Sequence, residues 1–99
     1  MRRGNGPRSF NMLDCTIVSP LEQIDLASAN AVYVTASNGQ IGILPGHAPL
    51  VCGLAPESIL RVAFTDSERH FRLGANAFLR LQNDRIVVLS AEYREISAT

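Results

Sequence analysis

The sequence contains no lysine and no tryptophan, and only two cysteines. All nine basic residues are arginine, which excludes a Schiff-base lysine and a phosphate-loop lysine. Two cysteines are too few for a disulfide scaffold. Cys15 and Cys52 lie in apolar, strand-like surroundings and are expected to be buried, reduced thiols, which fits a cytoplasmic compartment. No apolar run approaches the roughly 18–20 residues that span a bilayer as a helix. Net charge is absent too, with nine Lys+Arg against nine Asp+Glu. Without a basic excess there is no electrostatic footprint for nucleic acid.

What remains is an ordinary folded composition: 99 residues, 46% hydrophobic and 18% charged, enough for one domain and one core. The charge is unevenly placed. Arg2, Arg3 and Arg8 give residues 1–10 a net of +3; the rest holds six arginines and nine acids, a net of −3. Residues 1–11 lack the apolar stretch of a signal peptide and read as a flexible tail, with Met12 a second candidate start. The folded domain is expected over residues 12–99.

Period-two alternation dominates. Leu13, Cys15 and Ile17 alternate with Asp14 and Thr16; Leu60, Val62 and Phe64 with Arg61 and Ala63; Phe71 and Leu73 with His70 and Arg72. Leu79 and Leu81 alternate with Phe78, Arg80 and Gln82, and Ala31–Thr35 are strong strand formers. The run Ile86–Leu89 is expected to be a strand buried on both faces. Turn signals separate these runs at Ser37-Asn38-Gly39, Pro45-Gly46, Ala55-Pro56-Glu57-Ser58, Asp66-Ser67 and Asn83-Asp84. Asn38-Gly39 is the strongest, because both residues tolerate positive φ. Two hairpins are expected, 59–65 with 68–74 around Asp66-Ser67, and 77–82 with 85–91 around Asn83-Asp84. No segment keeps helical spacing over three turns; in Leu21–Asn30, Asp25 and Ser28 break the stripe. The fold class is all-β, a flattened sandwich or barrel of about ten short antiparallel strands.

Reactive groups do not converge. His47 and His70 stand at no zinc-ligand spacing from Cys15 or Cys52, and Gly39, Gly42 and Gly46 form no phosphate loop. No catalytic residue, metal or cofactor is expected. One segment stands out, Gly42-Ile43-Leu44-Pro45-Gly46-His47-Ala48-Pro49-Leu50. Two prolines and two glycines hold its backbone, and Ile43, Leu44 and Leu50 supply apolar surface. Its residues fit equally a corner between two sheets and a pre-shaped docking loop for a partner.

This segment, preceded by Asn38-Gly39-Gln40-Ile41, resembles the signature loop of the epsilon subunit of F-type ATP synthases, called delta in mitochondria. Leu13–Pro20 resembles the family's opening strand and turn. Ala55-Pro56 with Ile59–Val62 resembles a Pro-Gly turn and the following strand. Arg85–Ala91 resembles the closing strand, so the resemblance covers about residues 12–96. It implies a non-catalytic rotor subunit, a ten-stranded sandwich that fixes the gamma subunit to the membrane c-ring. In a bacterium it would lie peripherally on the cytoplasmic face of the inner membrane, meeting the membrane only through the complex.

Carried over by position, Ser37, Asn38, Gly39, Gln40, Ile41 and Gly42 would face the c-ring. Ser19, Pro45, Gly46, His47, Ala48, Pro49, Leu50 and Cys52 would face gamma. Three positions depart from the family pattern. Gln40 stands where an acid is common, which puts a salt bridge to a c-ring arginine in question. Asn76-Ala77 replaces Gly-Gly, and Glu57 replaces the glycine after Pro56. The chain stops where most bacterial members continue into an inhibitory helical hairpin, so the resemblance implies a subunit that couples without self-inhibition or ATP binding. The residues alone also admit another reading, a stand-alone sandwich that binds a peptide or small ligand.

Overall fold

The computed structural model describes residues 12–97, and the expected flexible tail lies outside them. Ten strands are present: β1 Leu13–Val18, β2 Gln23–Ala29, β3 Ala31–Ala36, β4 Gly39–Ile43, β5 Leu50–Gly53, β6 Ile59–Ala63, β7 Glu68–Leu73, β8 Phe78–Gln82, β9 Arg85–Leu89 and β10 Tyr93–Ile96. They form two five-stranded sheets. Sheet A has the order β2-β1-β9-β8-β5 and sheet B the order β10-β7-β6-β3-β4.

The alternation in the sequence becomes the two faces of each sheet. Leu13, Cys15 and Ile17 point inward from β1, Leu79 and Leu81 from β8, and Ile86 and Val88 from β9. Sheet B answers with Val32, Val34, Ile43, Leu60, Val62, Phe71 and Leu73. These side chains close into one buried cluster between the sheets. Removing each large apolar side chain from water contributes about 1.5–3 kcal/mol, which makes this cluster the main stabilising term.

Several expectations are corrected in detail. One ladder is parallel: Asp14–Val18 of β1 pair with Arg85–Leu89 of β9. Alternation reports which face a residue occupies and is blind to strand direction. The parallel ladder continues past both strand ends, through Asp14 N donating to Asp84 O (3.0 Å) and Ser90 N to Val18 O (3.0 Å). The strand β9 is not buried on both faces, since only Ile86 and Val88 are buried and Leu89 is exposed. Cys15 is buried as expected, whereas Cys52 is only partly so.

The β6–β7 turn sits one residue before its expected place, whereas the β3–β4 turn falls within Ser37-Asn38-Gly39. In the β6–β7 hairpin, Ala63 pairs with Glu68 and Phe64 N donates to Ser67 O at 2.8 Å, which centres the turn on Thr65-Asp66. In the β3–β4 hairpin, Ala36 pairs with Gly39, so Ser37-Asn38 forms the tip. The conformational freedom of glycine is used just after it, at φ 137° of Gly39. The β8–β9 hairpin is as expected: Gln82 pairs with Arg85 around Asn83-Asp84, with φ 53° and 61° at the two tip residues. Positive φ at both positions is the type I′ signature.

The connections sort onto two ends. Segments 19–22, 37–38, 54–58, 74–77 and 90–92 lie at one end, tied together by Ser37 N to Gly53 O, Leu54 N to Ala77 O and Gly74 N to Glu92 O. The loop 44–49 and the turn 83–84 lie at the opposite end, where Gly46 meets Asp84.

Candidate docking surface

The loop between β4 and β5 owes its shape to two turns. His47 N donates to Leu44 O at 3.1 Å, closing the turn Leu44-Pro45-Gly46-His47. Proline at its second position and φ 88° at Gly46 in the third make a type II turn, which favours glycine there. Gly46 N then donates to Asp84 Oδ1 at 2.7 Å. Asp84 therefore joins three elements: its side chain holds the loop, its backbone shapes the β8–β9 turn, and its carbonyl caps the start of β1. His47 is exposed, and its Nδ1 donates to Ala48 O at 2.7 Å. The carbonyl acceptor selects the tautomer that carries its proton on Nδ1.

The expected gamma-facing residues do not all share a surface. Gly46, His47, Ala48 and Pro49 are exposed on the loop and Pro45 is half-buried. Leu50 and Cys52 turn inward and pack against the core, leaving Val51 between them to face solvent. Ser19 lies at the other end of the sandwich, in a turn where Ser19 N donates to Glu22 O at 2.9 Å and Glu22 N to Ser19 Oγ at 3.3 Å. The expected c-ring residues also divide. Ser37, Asn38, Gly39 and Gln40 are exposed at the five-loop end. Ile41 packs on the core, and Gly42, paired with Tyr33, lies far along β4 toward the Pro45 loop.

A larger feature escaped the sequence reading. The outer face of sheet A carries a cross-strand row in which Phe78 is opposite Leu89 and Leu89 opposite Val18. Phe78 and Leu89 are each 53% exposed, Val51 is 69% exposed and Leu21, in the turn after β1, is 95% exposed. Ser19, Pro20, Leu89 and Val18 also line a shallow, mostly apolar hollow of about 360 Å³, so Ser19 borders this face although it lies far from the Pro45 loop. Three of the five large exposed apolar side chains thus belong to one sheet face. The signal was available: Phe78 and Leu89 occupy outward positions of strands whose inward positions are already apolar. An apolar row of this kind on a small domain is a candidate interaction surface.

The outer face of sheet B is different in kind. The Arg61 guanidinium lies 4.7 Å from the centre of the Tyr33 ring and 3.4 Å from Glu68. His70 Nε2 meets the other Glu68 oxygen at 2.9 Å. The hydrogen bond from His70, then that from Arg61, holds the Glu68 carboxyl below its ordinary value. At the β10 edge Arg69 makes a bidentate pair with Glu95, both contacts 2.8 Å, which lowers the Glu95 pKa and raises that of Arg69. On this outer face Arg61, Glu68 and His70 satisfy one another, whereas Arg72 and Arg94, opposite each other on β7 and β10, form no ion pair among the described residues.

Two departures at the five-loop end are also resolved. Asn76 takes φ 60° while Ala77 stays out of the left-handed region and is buried, so the only demanding position of that pair is filled by a tolerant residue. Glu57 takes φ 54° in the turn closed by Ser58 N donating to Ala55 O at 3.2 Å. No group of three or more His, Cys, Asp or Glu able to hold a metal occurs among the described residues.

Comparison with known proteins joins this sandwich and its shaped loop to one family, the ATP synthase delta/epsilon chain β-sandwich domain, which matches residues 12–95. The chain belongs to that family. An ATP synthase epsilon chain from Halorhodospira halophila is 33% identical over 81 residues, covering 82% of this chain and 57% of the relative. One from Polynucleobacter necessarius is 32% identical over 74 residues, covering 75% and 53%. The chain spans a little over half the length of the curated relatives it matches. The same fold occurs in a Euglena gracilis mitochondrial ATP synthase assembly of OSCP, F1 and c-ring, with TM-score 0.78, 21% identity, and 94% of this chain and 58% of that chain covered. A chain of the Tetrahymena thermophila mitochondrial ATP synthase central stalk and c-ring gives TM-score 0.67 at 9% identity, covering 84% and 66%. No helix of the described residues is long and apolar enough to cross a membrane.

Proposed function

We propose that this chain is a non-catalytic central-stalk subunit that fixes a gamma-type partner to the c-ring of a rotary ATP synthase. The reading is carried by the outer face of sheet A, where exposed Val51, Phe78 and Leu89 and half-buried Val18 form an apolar surface on a rigid sandwich. Gamma would cover that face together with the loop around His47. The exposed tip Ser37–Gln40, at the five-loop end, would rest on the polar loops of the ring. Torque then passes through packing: ten short strands around one close-packed core deform little, so rotation of the ring is delivered to gamma. Membrane contact would come only through the complex, on the side that carries the catalytic head.

The test is co-purification with the gamma subunit of the same organism, using wild type and F78D. Phe78 is exposed, so its replacement leaves the core intact while placing a charge in the apolar row. We expect a stable wild-type complex and loss of binding by at least about tenfold in F78D, or about 1.4 kcal/mol, as for an apolar anchor at an interface. A wild type that forms no complex, or an F78D that binds as well as wild type, refutes the reading.

A further inference from the structure

The face assigned to the partner is apolar over only half of its length. Toward the Pro45 loop it becomes cationic. Arg80 and Arg85 both point outward, on β8 and β9. Register places Arg80 opposite Val87 and Gln82 opposite Arg85, so the two arginines are diagonal neighbours. They frame a crevice of about 340 Å³ with Gln82, Asn83 and Val87.

Among the described residues neither arginine forms an ion pair. Arg80 Nη2 donates to a neutral acceptor, Gln82 Oε1, at 3.2 Å. Asp14, opposite Arg85 in β1, takes the Ser28 amide at 3.2 Å. The crevice adjoins the docking loop directly, because the turn after Asn83 supplies the Asp84 carboxylate that holds Gly46. A partner seated on both the loop and the Phe78–Leu89–Val18 row must therefore pass over these two guanidinium groups.

Covering them without a counter-charge from the partner would strip two cations of water, a cost that opposes the gain from the neighbouring apolar contacts. Resting on the function proposed above, we infer that the gamma-type partner places an acidic side chain, Asp or Glu, in the crevice between Arg80 and Arg85. The planar fork of arginine suits bidentate capture of a carboxylate. The two halves of the face then have separate roles. The apolar row supplies affinity, while the cationic crevice supplies register and selects gamma subunits with a matching acid.

The experiment measures binding kinetics of the full chain to the gamma subunit of the same organism at low and high salt. It compares wild type, R80Q/R85Q, R80E/R85E and F78D, with circular dichroism confirming that each is folded. We expect wild-type affinity to fall as salt rises. We expect R80Q/R85Q to lose that salt dependence, and R80E/R85E to bind on the order of 30-fold more weakly or worse. Salt-independent wild-type binding overturns the inference, as does R80E/R85E binding within about threefold of wild type. If F78D is impaired while those arginine results fail, the stalk reading stands and only the acidic partner group is refuted. If wild type forms no complex at all, the reading falls and takes this inference with it. The wild-type salt series keeps the test decisive even where a variant does not fold.

Discussion

Replacing Glu57 by glycine should make the protein more stable, and the structure indicates by how much. Glu57 occupies the third position of the turn Ala55-Pro56-Glu57-Ser58 with φ 54°. A side chain with a Cβ in the left-handed region carries a penalty of roughly 1–2 kcal/mol relative to glycine. Glycine is more disordered in the unfolded chain, which returns about 0.4–1 kcal/mol of that gain. The net expectation is about 0.5–1 kcal/mol in favour of E57G. A domain of this size moves by about 4–8 °C per kcal/mol, so the midpoint should rise by about 2–8 °C. The turn itself should persist, since Pro56 presets its second position and Ser58 O accepts from Leu73 N at 3.0 Å. Thermal unfolding followed by circular dichroism reads the shift. The deciding control is E57A, which removes the carboxylate and keeps the Cβ. If backbone strain is the cause, E57A gains nothing. A midpoint for E57A as high as that of E57G would refute the argument and point to charge. An unchanged or lower midpoint for E57G would refute it as well.

Acid should expose the Arg69–Glu95 pair. The folded pKa of Glu95 lies below its ordinary value of about 4.5, chiefly through the hydrogen bond from Arg69. A lowered carboxylate pKa contributes stability that is fully present above the unfolded value and lost as pH falls through the folded one. E95Q should therefore melt slightly below wild type at neutral pH, with the difference closing once the pH falls below the carboxylate range; a difference that stays constant into acid would contradict this. The two thiols should react in order. Burial pushes the Cys15 thiol up to about 12, and Cys52 is raised less in a more open position. A chromogenic disulfide reagent should modify one cysteine, Cys52, well before unfolding and Cys15 only on unfolding, as mass spectrometry of the modified peptides would report. Equal rates at both would show that β1 opens freely.

Much of the fold was legible because period two is a local property. The inward positions Leu13, Cys15, Ile17, Leu60, Val62, Phe71, Leu73, Leu79 and Leu81 follow directly from alternation and are all buried. The Asn83-Asp84 turn was legible for the same reason, since two residues tolerant of positive φ between two apolar runs leave few other solutions. The turn expected at Asp66-Ser67 lies at Thr65-Asp66 instead, because the neighbouring strands, not the turn residues, fix where pairing stops. The candidate site was less legible. Its loop is conspicuous in composition, whereas Leu50 and Cys52, which the resemblance sets toward gamma, are turned to the core by the pairing of β5 with β8.

Local chemistry therefore determined that this chain is an all-β domain, where most strands and turns lie, and that its most unusual segment is Gly42–Leu50. Strand order, the parallel β1–β9 ladder and the choice of face were decided only in three dimensions. Phe78, Leu89 and Val18 are separated by up to 71 positions in the chain and become one row solely because β8, β9 and β1 are neighbours in sheet A. The same pairing sets Arg80 beside Arg85, and the bond from Gly46 to Asp84 joins the Pro45 loop to the β8–β9 turn. The physical reason is that alternation encodes inside against outside, whereas a surface is assembled by long-range hydrogen bonding between strands that no local pattern specifies.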